Sequence, residues 1–370
     1  MKILYIAPIP PPITGQSLAS KVLLDDLALN NEIKVVNLSK DSSFEGLGFF
    51  KRIVAVIKIL YDVSRKQKEA ETIYFTISES LFGNIKDLFI YLICFKKLSI
   101  MYIHLHGGSI KRLLWDKVPL IYKINKIFIS RLSGVIILGK SHIEIFKNIV
   151  PEDKIFTVHN FALDILFLEN DAIQSKFLQS EFLHVVYISS MKRKKGYEEL
   201  LNAYLKLTVE EKSKVKLDFA GDFESKALAK DFLNMIRTEK NITYHGNVDS
   251  EKKKILLGKA NIFCLPTLFF EGQPISILEA YASGCIVLTT GQNGILDIFN
   301  KNENGFEINQ TSISDSIADH LRYIMGQSSE NLLKIALHNA QTSRSKYRST
   351  FFNTKLREIM GLNINKIREI

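Results

Sequence analysis

The sequence is dominated by short apolar runs, rich in β-branched residues, that alternate with amphipathic segments. Two series of such runs occur along the chain, at residues 3–6, 33–36, 72–75, 101–104 and 134–138, and then at residues 183–189, 216–220, 241–244, 262–265 and 286–288. Buried strands separated by helices predict parallel sheets that helices cover on both faces. The pattern therefore predicts an α/β fold that is built twice, as two Rossmann-like domains.

Chain length and local pattern place the domain boundaries. At 370 residues the chain exceeds what one hydrophobic core usually supports. Residues 165–181 lack a long periodic apolar face, so we expect the interdomain connection there. This predicts an N-terminal domain over residues 1–168 and a C-terminal domain over residues 169–342, followed by a terminal segment, 343–370, that is strongly helical up to residue 360.

Composition and targeting signals limit the compartment. The chain has 46% apolar and 24% charged residues, which is typical of a globular protein. Its three cysteines, Cys94, Cys264 and Cys285, have neither the even count of a disulfide framework nor the paired spacing of a zinc site. The N-terminus shows no signal-peptide cleavage site, and the apolar stretch at residues 88–95 is far shorter than the ~20 residues that cross a bilayer. We expect a cytoplasmic protein that does not span the membrane.

The net charge of +10 indicates an anionic partner without specifying it. Residues 49–68 and 109–131 combine aliphatic and aromatic side chains with lysine and arginine, so either segment could lie on anionic lipid at the inner face of the membrane. The alternative is that their apolar faces belong to the domain core. Nucleic acid is a weaker candidate, because the basic residues are not interleaved with a known reading motif.

Residues 263–299 contain the richest pattern: a strand, a glycine-containing loop, a helix, a second strand and another glycine-rich turn. Pro274 suits the first helical position, so the helix should open at residues 273–276, with free N–H groups directed at an anion such as a diphosphate. Glu271 precedes this helix and Glu279 lies inside it. One carboxylate could hold a sugar and the other a ribose.

This block resembles the Glu-x7-Glu signature of retaining family 4 glycosyltransferases, which have the GT-B fold. A second segment, residues 185–204, resembles the phosphate loop of the same family. Lys195 and the following glycine match the family pattern, but Ser189 and Ser190 replace its Gly-Arg pair. The missing arginine leaves Lys195 as the main cation for the diphosphate, with Lys192, Arg193 or Lys194 as alternatives.

Other segments carry weaker resemblances. Gly221 and Gly246 fall in stretches that resemble the family's nucleotide side. His245 between them is read as a structural histidine. Gly15 and Gln16 follow the first strand where the family has a glycine-rich loop. His106, directly before a glycine at the end of a predicted strand, matches the family's active-site histidine, whereas His104 would lie deeper.

The resemblance implies two domains facing a cleft and a last helix that crosses back to the first domain. It also implies roles: His106 and Glu271 position the sugar, Lys195 and the helix at Pro274 and Ile275 bind the leaving diphosphate, and Glu279 binds the ribose. Gly272 and Gln273 would offer backbone groups, and Ser190 would line the site.

No Asp-x-Asp motif or histidine cluster suitable for a divalent metal is present in the sequence, which predicts a metal-independent reaction with no cofactor beyond the donor, a UDP-sugar or GDP-sugar. The resemblance implies transfer of a hexose-type sugar to a hydroxyl acceptor, such as a lipid-linked saccharide in bacterial surface polysaccharide synthesis.

Three alternatives stay open. A nucleotide-sugar epimerase or a phosphorylase would use the same fold. A degenerate, non-catalytic membrane-associated scaffold would explain the missing arginine. Residues 134–141 fit the P-loop expression Gly-x4-Gly-Lys-Ser, but the intervening Val-Ile-Ile-Leu favours a strand over a phosphate-wrapping loop, which argues against an NTPase.

Overall fold

The structure is a computed structural model that describes residues 1–39 and 49–362. It divides into two compact units. Unit 1 comprises Met1–Asn160, Phe270–Gln273 and Ser349–Ile370, and unit 2 comprises Phe161–Phe269 and Pro274–Arg348.

The described residues form twelve strands, each part of a parallel sheet. They are β1 Lys2–Ala7, β2 Glu32–Asn37, β3 Thr72–Thr76, β4 Met101–Leu105, β5 Gly134–Ile137, β6 Ile155–Thr157, β7 Leu183–Ile188, β8 Val215–Ala220, β9 Ile242–Tyr244, β10 Ile262–Leu265, β11 Ile286–Thr290 and β12 Gly305–Ile308. The predicted strand positions are confirmed in both series. That includes β5, which covers the first half of the P-loop-like segment at residues 134–141, so the predicted strand at this position is confirmed.

The described helices are α1 Gly15–Ala28, α2 Phe49–Lys66, α3 Leu81–Ile93, α4 Pro119–Ile129, α5 Ile143–Phe146, α6 Asn170–Leu178, α7 Tyr197–Leu205, α8 Val209–Ser213, α9 Lys226–Ile236, α10 Ser250–Lys259, α11 Ile275–Ala282, α12 Asn293–Leu296, α13 Ile313–Met325, α14 Ser329–Lys346 and α15 Ser349–Ile359. Within the part of the chain that is described, no helix combines the length and the apolarity needed to cross a bilayer.

The sheet of unit 1 has the strand order β2-β1-β3-β4-β5-β6. The connection from β1 through α1 leads to β2 at one edge of the sheet. The later connections, through α2, α3 and α4, lead toward the opposite edge. Right-handed crossovers therefore put α1 on one face of the sheet and α2, α3 and α4 on the other. The last helix, α15, packs against α1, where the Arg357 guanidinium donates to both carboxylate oxygens of Asp26 at 2.6 and 2.5 Å. The predicted return of the final helix to the N-terminal domain is confirmed.

The sheet of unit 2 has the order β12-β11-β10-β7-β8-β9. This is the doubly wound Rossmann order, in which the direction of winding reverses between β7 and β10. In such sheets ligands bind at the carboxyl ends of the strands beside the reversal. β10 and β11 are buried along their whole length, which explains their continuous apolar sequence.

The units divide after Asn160, earlier than the predicted boundary at residue 168. The residues that follow belong to unit 2: the Ala162 amide donates to the Tyr347 carbonyl at 2.8 Å, and Ile173 of α6 lies in the core of unit 2. The segment expected to be a connection is therefore part of a folded unit.

Two further features differ from the sequence prediction. The single helix expected over residues 343–360 is broken at Tyr347 and Arg348, between α14 and α15. The edge strands β6 and β12 were not predicted, because each has only three or four residues and is only partly buried. Short edge strands lack the long apolar run on which a prediction depends.

Candidate functional site

The basic loop, residues 189–196, leaves β7 at the winding reversal of unit 2. It lies against the segment that leaves β10: the Leu268 amide donates to the Lys194 carbonyl at 2.7 Å. Gly196 has φ of 91°, and a Cβ there would meet Pro266 at 2.4 Å. A side chain at this position is therefore excluded by both conformation and space. The basic loop and the segment after β10 therefore lie side by side at the edge of the sheet formed by the carboxyl ends of the strands. This is the edge at which α/β proteins bind ligands.

Lys195 is the cation of the basic loop that turns toward this edge. Its Nζ lies 5.3 Å from the centroid of the Phe269 ring, and the side chain is half-buried. Lys192, Arg193 and Lys194 are exposed. The carbonyl of Ser190 accepts hydrogen bonds from the Lys192 amide and from the Tyr187 hydroxyl, at 2.8 and 3.1 Å.

Helix α11 begins at Ile275, within the predicted window. Pro274 is the residue before the first turn, with φ of −65° and ψ of 116°, rather than the first helical residue. This difference arises because its extended ψ does not continue into the helix. No side chain caps this end of the helix. The N–H groups of an uncapped first turn, with the positive end of the helix dipole, suit an anion.

Glu279 lies inside α11 and is only 1% exposed. Both of its carboxylate oxygens accept hydrogen bonds from the Nζ of Lys253 on α10, at 2.9 and 2.8 Å. Lys253 was not predicted as a site residue, because it is one of three consecutive lysines and only the folded chain shows which of them reaches the carboxylate. In this structure, therefore, the carboxylate that was expected to bind a ribose is hydrogen-bonded to the Lys253 ammonium group.

Replacing Lys253 by methionine should lower the free energy of unfolding by about 2 to 4 kcal/mol, because it leaves the buried Glu279 carboxylate without its charge partner. Urea denaturation measures this change. The exposed neighbour Lys252→Met is the control and should change stability little. The double variant Lys253→Met/Glu279→Gln should recover most of the loss. Equal effects of the Lys252 and Lys253 variants would contradict the assigned ion pair.

Gly221 and Gly246 are hydrogen-bonded to each other beside the start of the basic loop. The Gly221 amide donates to the Gly246 carbonyl at 2.8 Å, and a Cβ at Gly221 would lie 1.8 Å from the carbonyl oxygen of Ser189. Gly221 thus lets the backbone approach the start of the basic loop closely. Nearby, His245 bonds Asp218 at 2.6 Å, which agrees with its structural interpretation.

In unit 1, His106 follows β4 and starts a turn over residues 106–109, called here the His106 turn. Both ring nitrogens of His106 are buried and have no hydrogen-bond partner among the described residues. The ring lies 3.9 Å, centroid to centroid, from that of His104, whose Nδ1 bonds the Tyr74 hydroxyl at 2.7 Å. His104 is fully buried, as predicted. Buried imidazole nitrogens without protein partners are rare, and a bound ligand or a water molecule is one way to satisfy them.

Burial lowers the pKa of His106 to about 3, so the ring is neutral near pH 7. The unfolded chain takes up this proton at a pKa of about 6.5, so the free energy of unfolding should fall as the pH drops below that value. From pH 7 to pH 5 we expect His106 to contribute a loss of about 2 kcal/mol. Urea denaturation of His106→Asn should show a correspondingly smaller pH dependence, whereas the exposed His338→Asn should match the wild type. An unchanged pH dependence in His106→Asn would contradict a neutral buried ring.

Glu79, which follows β3, is hydrogen-bonded to the backbone at the end of the His106 turn. Its carboxylate accepts from the Ser109 and Ile110 amides at 2.6 and 2.9 Å, and a Cβ at Gly107 would lie 1.7 Å from it. Burial raises the pKa of Glu79. Glu79 was not predicted as a site residue, because only the neighbouring positions of β3 and β4 in the sheet bring it to the turn.

The loop Phe270–Gln273, called here the Glu271 loop, packs on the His106 turn. A Cβ at Gly272 would lie 2.1 Å from the carbonyl oxygen of His106, so only glycine lets the two backbones come this close. A Cβ at Gly108 would lie 3.4 Å from the Glu271 carbonyl. The structure therefore brings together His106 and Glu271, which the sequence had assigned to one sugar.

Gln273 ties the Glu271 loop to unit 1. Its Oε1 accepts from the Asn160 amide at 2.6 Å, its Nε2 donates to the Leu138 carbonyl at 3.0 Å, and its own carbonyl accepts from Asn160 Nδ2 at 2.8 Å. The Gln273 carbonyl thus already accepts one hydrogen bond, and the expectation that Gln273 offers backbone groups to a ligand stays a prediction.

Gly15 and Gln16 form the first turn of α1, after the Thr14 cap. Gly15 is exposed and Gln16 is half-buried. They follow the carboxyl end of β1, which neighbours β3, so they lie on the same edge of the sheet as Glu79 and His106. Of the predicted residues, unit 1 contains Gly15, Gln16, His106, Glu271, Gly272 and Gln273, and unit 2 contains Ser190, Lys195, Gly221, Gly246, Pro274, Ile275 and Glu279.

The chain resembles known proteins in part of its sequence and in its fold. Residues 169–341 match the family model of glycosyl transferases group 1. No curated protein sequence matches the chain. Among solved structures, Anabaena HepE in complex with UDP and glucose is similar, with a TM-score of 0.74 at 15% identity, covering 98% of this chain and 99% of that one.

Two further structures show the same likeness. Sucrose-phosphate synthase from Thermosynechococcus elongatus has a TM-score of 0.74 at 11% identity, over 97% of this chain and 98% of that one. A glycosyltransferase from Rickettsia africae has a TM-score of 0.70 at 16% identity, over 97% of both chains. The fold is thus the GT-B fold of these glycosyltransferases.

Proposed function

We propose that the chain is a retaining, metal-independent glycosyltransferase that moves a hexose-type sugar from a nucleotide diphosphate to a hydroxyl acceptor. The observation that carries this proposal is the contact of Gly272 with the His106 carbonyl, which holds the Glu271 loop on the His106 turn. It joins two predicted sugar-binding residues that lie 165 positions apart in the sequence.

The main chemical demand is the negative charge that develops on the departing diphosphate. In this proposal Lys195 and the uncapped first turn of α11 meet that charge. Fixed donors aimed at developing charge contribute roughly 3 to 4 kcal/mol each in related sites. Both belong to the edge of unit 2 where the strand order reverses, which supports their assignment to the phosphates.

The sugar is assigned to His106 and Glu271. A neutral imidazole can donate one hydrogen bond and accept another, which suits sugar hydroxyls. The low pKa of His106 argues against a cationic role, since burial keeps the ring uncharged. The Glu271 carboxylate would stabilise the positive charge of an oxocarbenium-like sugar.

The nucleotide is assigned to unit 2. Glu279 would accept from the ribose hydroxyls, with Lys253 beside it, and Gly221 and Gly246 would line the base side. The donor is a UDP-sugar or a GDP-sugar. The similar HepE structure contains UDP and glucose, so UDP-glucose is the first donor to test. The proposed acceptor is a lipid-linked saccharide of bacterial surface polysaccharide synthesis.

The proposal is tested by following each UDP- or GDP-hexose by NMR in the presence of a lipid-linked saccharide acceptor. We expect consumption of one donor and a product linkage with the donor's anomeric configuration. A product of inverted configuration would contradict the retaining mechanism. Conversion of the donor to an epimer, without any acceptor product, would contradict glycosyl transfer.

Turnover should be unchanged when a chelator such as EDTA is added. The reason is that lysine and backbone N–H groups, rather than a divalent cation, are assigned to the diphosphate. Within residues 1–39 and 49–362, no group of three or more His, Cys, Asp or Glu side chains is arranged to hold a metal ion. Loss of turnover in EDTA that manganese restores would contradict the metal-independent mechanism.

A further inference from the structure

Helix α3 exposes an apolar stripe to solvent. Phe82 is 80% exposed, Phe89 50% and Leu92 59%. These residues recur at spacings of seven and three, which place them on one side of a helix. Single exposed apolar residues are ordinary, but a contiguous row of large ones marks an interaction surface.

The orientation of α3 is fixed by polar groups on its buried side. Asn84 exchanges hydrogen bonds with Asn125 of α4, at 2.7 and 3.3 Å. Asp87 is fully buried, where it accepts from the Ser78 amide at 2.7 Å and pairs with Lys86 at 2.5 Å. Turning the apolar stripe inward would expose the core-facing residues of α3 and break these bonds. The stripe therefore stays outside.

The neighbouring helices extend this surface. Helix α3 packs between α2 and α4. On α2 the exposed residues include Val54, Ile57 and Tyr61, and on α4 they include Leu120 and Ile127. We call the exposed side of these three helices the apolar face. From the sequence, the apolar residues of segments 49–68 and 109–131 could have belonged only to the core. These exposed side chains show that some of them face solvent.

The charges around the apolar face indicate its partner. Residues 49–131, the whole segment that includes α2, α3 and α4 with the strands between them, contain 15 lysine and arginine residues against 6 aspartate and glutamate residues. Lys58, Lys123 and Lys126 are exposed alongside the apolar residues of α2 and α4. A second copy of the chain would bring like charges together. A bilayer with anionic headgroups accepts both cations and inserted apolar side chains.

We propose that the apolar face docks on the surface of an anionic membrane, with Phe82, Phe89 and Leu92 inserted at the headgroup boundary. This deepens the proposed use of a lipid-linked acceptor, but it does not depend on the transfer chemistry. Electrostatic attraction to anionic lipid adds about 1 kcal/mol for each lysine near the surface, which corresponds to about a fivefold change in affinity.

The test is flotation of the full chain with vesicles of phosphatidylcholine alone, or of equal parts phosphatidylcholine and phosphatidylglycerol. The wild type should float only with the anionic vesicles, and less so at high salt. Phe82→Ser/Phe89→Ser should weaken binding roughly tenfold or more, since two exposed rings no longer enter the bilayer. Lys123→Glu/Lys126→Glu should weaken it about 25-fold or more.

Matched controls lie in unit 2. Val209 is 87% exposed on α8, and Lys254 is exposed on α10. Val209→Ser and Lys254→Glu should float like the wild type. All variants should keep the thermal unfolding temperature of the wild type, because the replaced side chains are exposed.

Three results would overturn the docking proposal. The first is a wild type that does not float with anionic vesicles, and the second is variants of the apolar face that float as well as the wild type. The third is concentration-dependent self-association that the Phe82/Phe89 variant abolishes, without vesicle binding, which would make a second copy the partner. Donor turnover with a water-soluble acceptor is measured separately, so failure of docking and failure of the proposed transfer remain distinguishable.

Discussion

Replacement of Lys195 by methionine should lower the transfer rate about 100- to 1,000-fold, with a much smaller change in the KM for the donor. The expected size follows from sites where one donor to a developing negative charge is removed. Lys195 is half-buried beside Phe269, at the edge formed by the ends of β7 and β10. An effect confined to kcat would indicate that the ammonium group acts mainly on the leaving diphosphate rather than on the bound substrate.

Lys192 provides the matched control for this substitution, because it lies in the same loop and is exposed. Lys192→Met should keep most of the activity. Lys195→Arg should retain part of it, since the charge is kept but its position shifts. If Lys192→Met loses as much activity as Lys195→Met, the loop contributes general positive charge and the specific assignment to Lys195 fails.

Replacement of Gly272 by alanine should lower the transfer rate about 100-fold. The added Cβ would lie 2.1 Å from the backbone carbonyl of His106, so the Glu271 loop must move away. A displacement of about 1 Å at a positioning residue costs on the order of 100-fold in rate. We also expect the free energy of unfolding to fall by about 1 to 3 kcal/mol, which is typical of overpacking. Steady-state kinetics and urea denaturation measure the two effects.

Gly258 is the control for the same substitution. It lies within α10 and has no atom within 4 Å of an added Cβ. Gly258→Ala should leave activity unchanged and stabilise the helix by about 0.5 to 1 kcal/mol. A Gly272→Ala variant with wild-type kinetics would show that the Glu271 loop need not lie on the His106 turn.

The sequence predicted both sheets because their inner strands are continuous apolar runs, which are typical of buried parallel strands. It also placed the start of α11 from the position of Pro274, and the family resemblance assigned His106 and Glu271 to one sugar. Each of these features depends on residues close together in the sequence or on a motif.

Features that depend on tertiary packing were not predictable. Lys253 reaches Glu279 only because α10 and α11 pack near each other, and the adjacent lysines in the sequence look equivalent. Glu79 reaches the His106 turn because β3 and β4 are neighbours in the sheet. The helix break at Tyr347 was missed for a similar reason: the Tyr347 carbonyl bonds the distant Ala162 amide, which no local pattern reveals.

The central claim is that the chain binds a nucleoside diphosphate through Glu279 and the edge of unit 2. The most direct test is thermal unfolding of the wild type and of Glu279→Gln with UDP, GDP, ADP or dTDP. At 100 times its dissociation constant a ligand stabilises a protein by about 2.7 kcal/mol. We predict that one diphosphate stabilises the wild type and that this shift is largely lost in the variant. If none of the four stabilises a wild type that circular dichroism shows to be folded, the assigned donor site is contradicted.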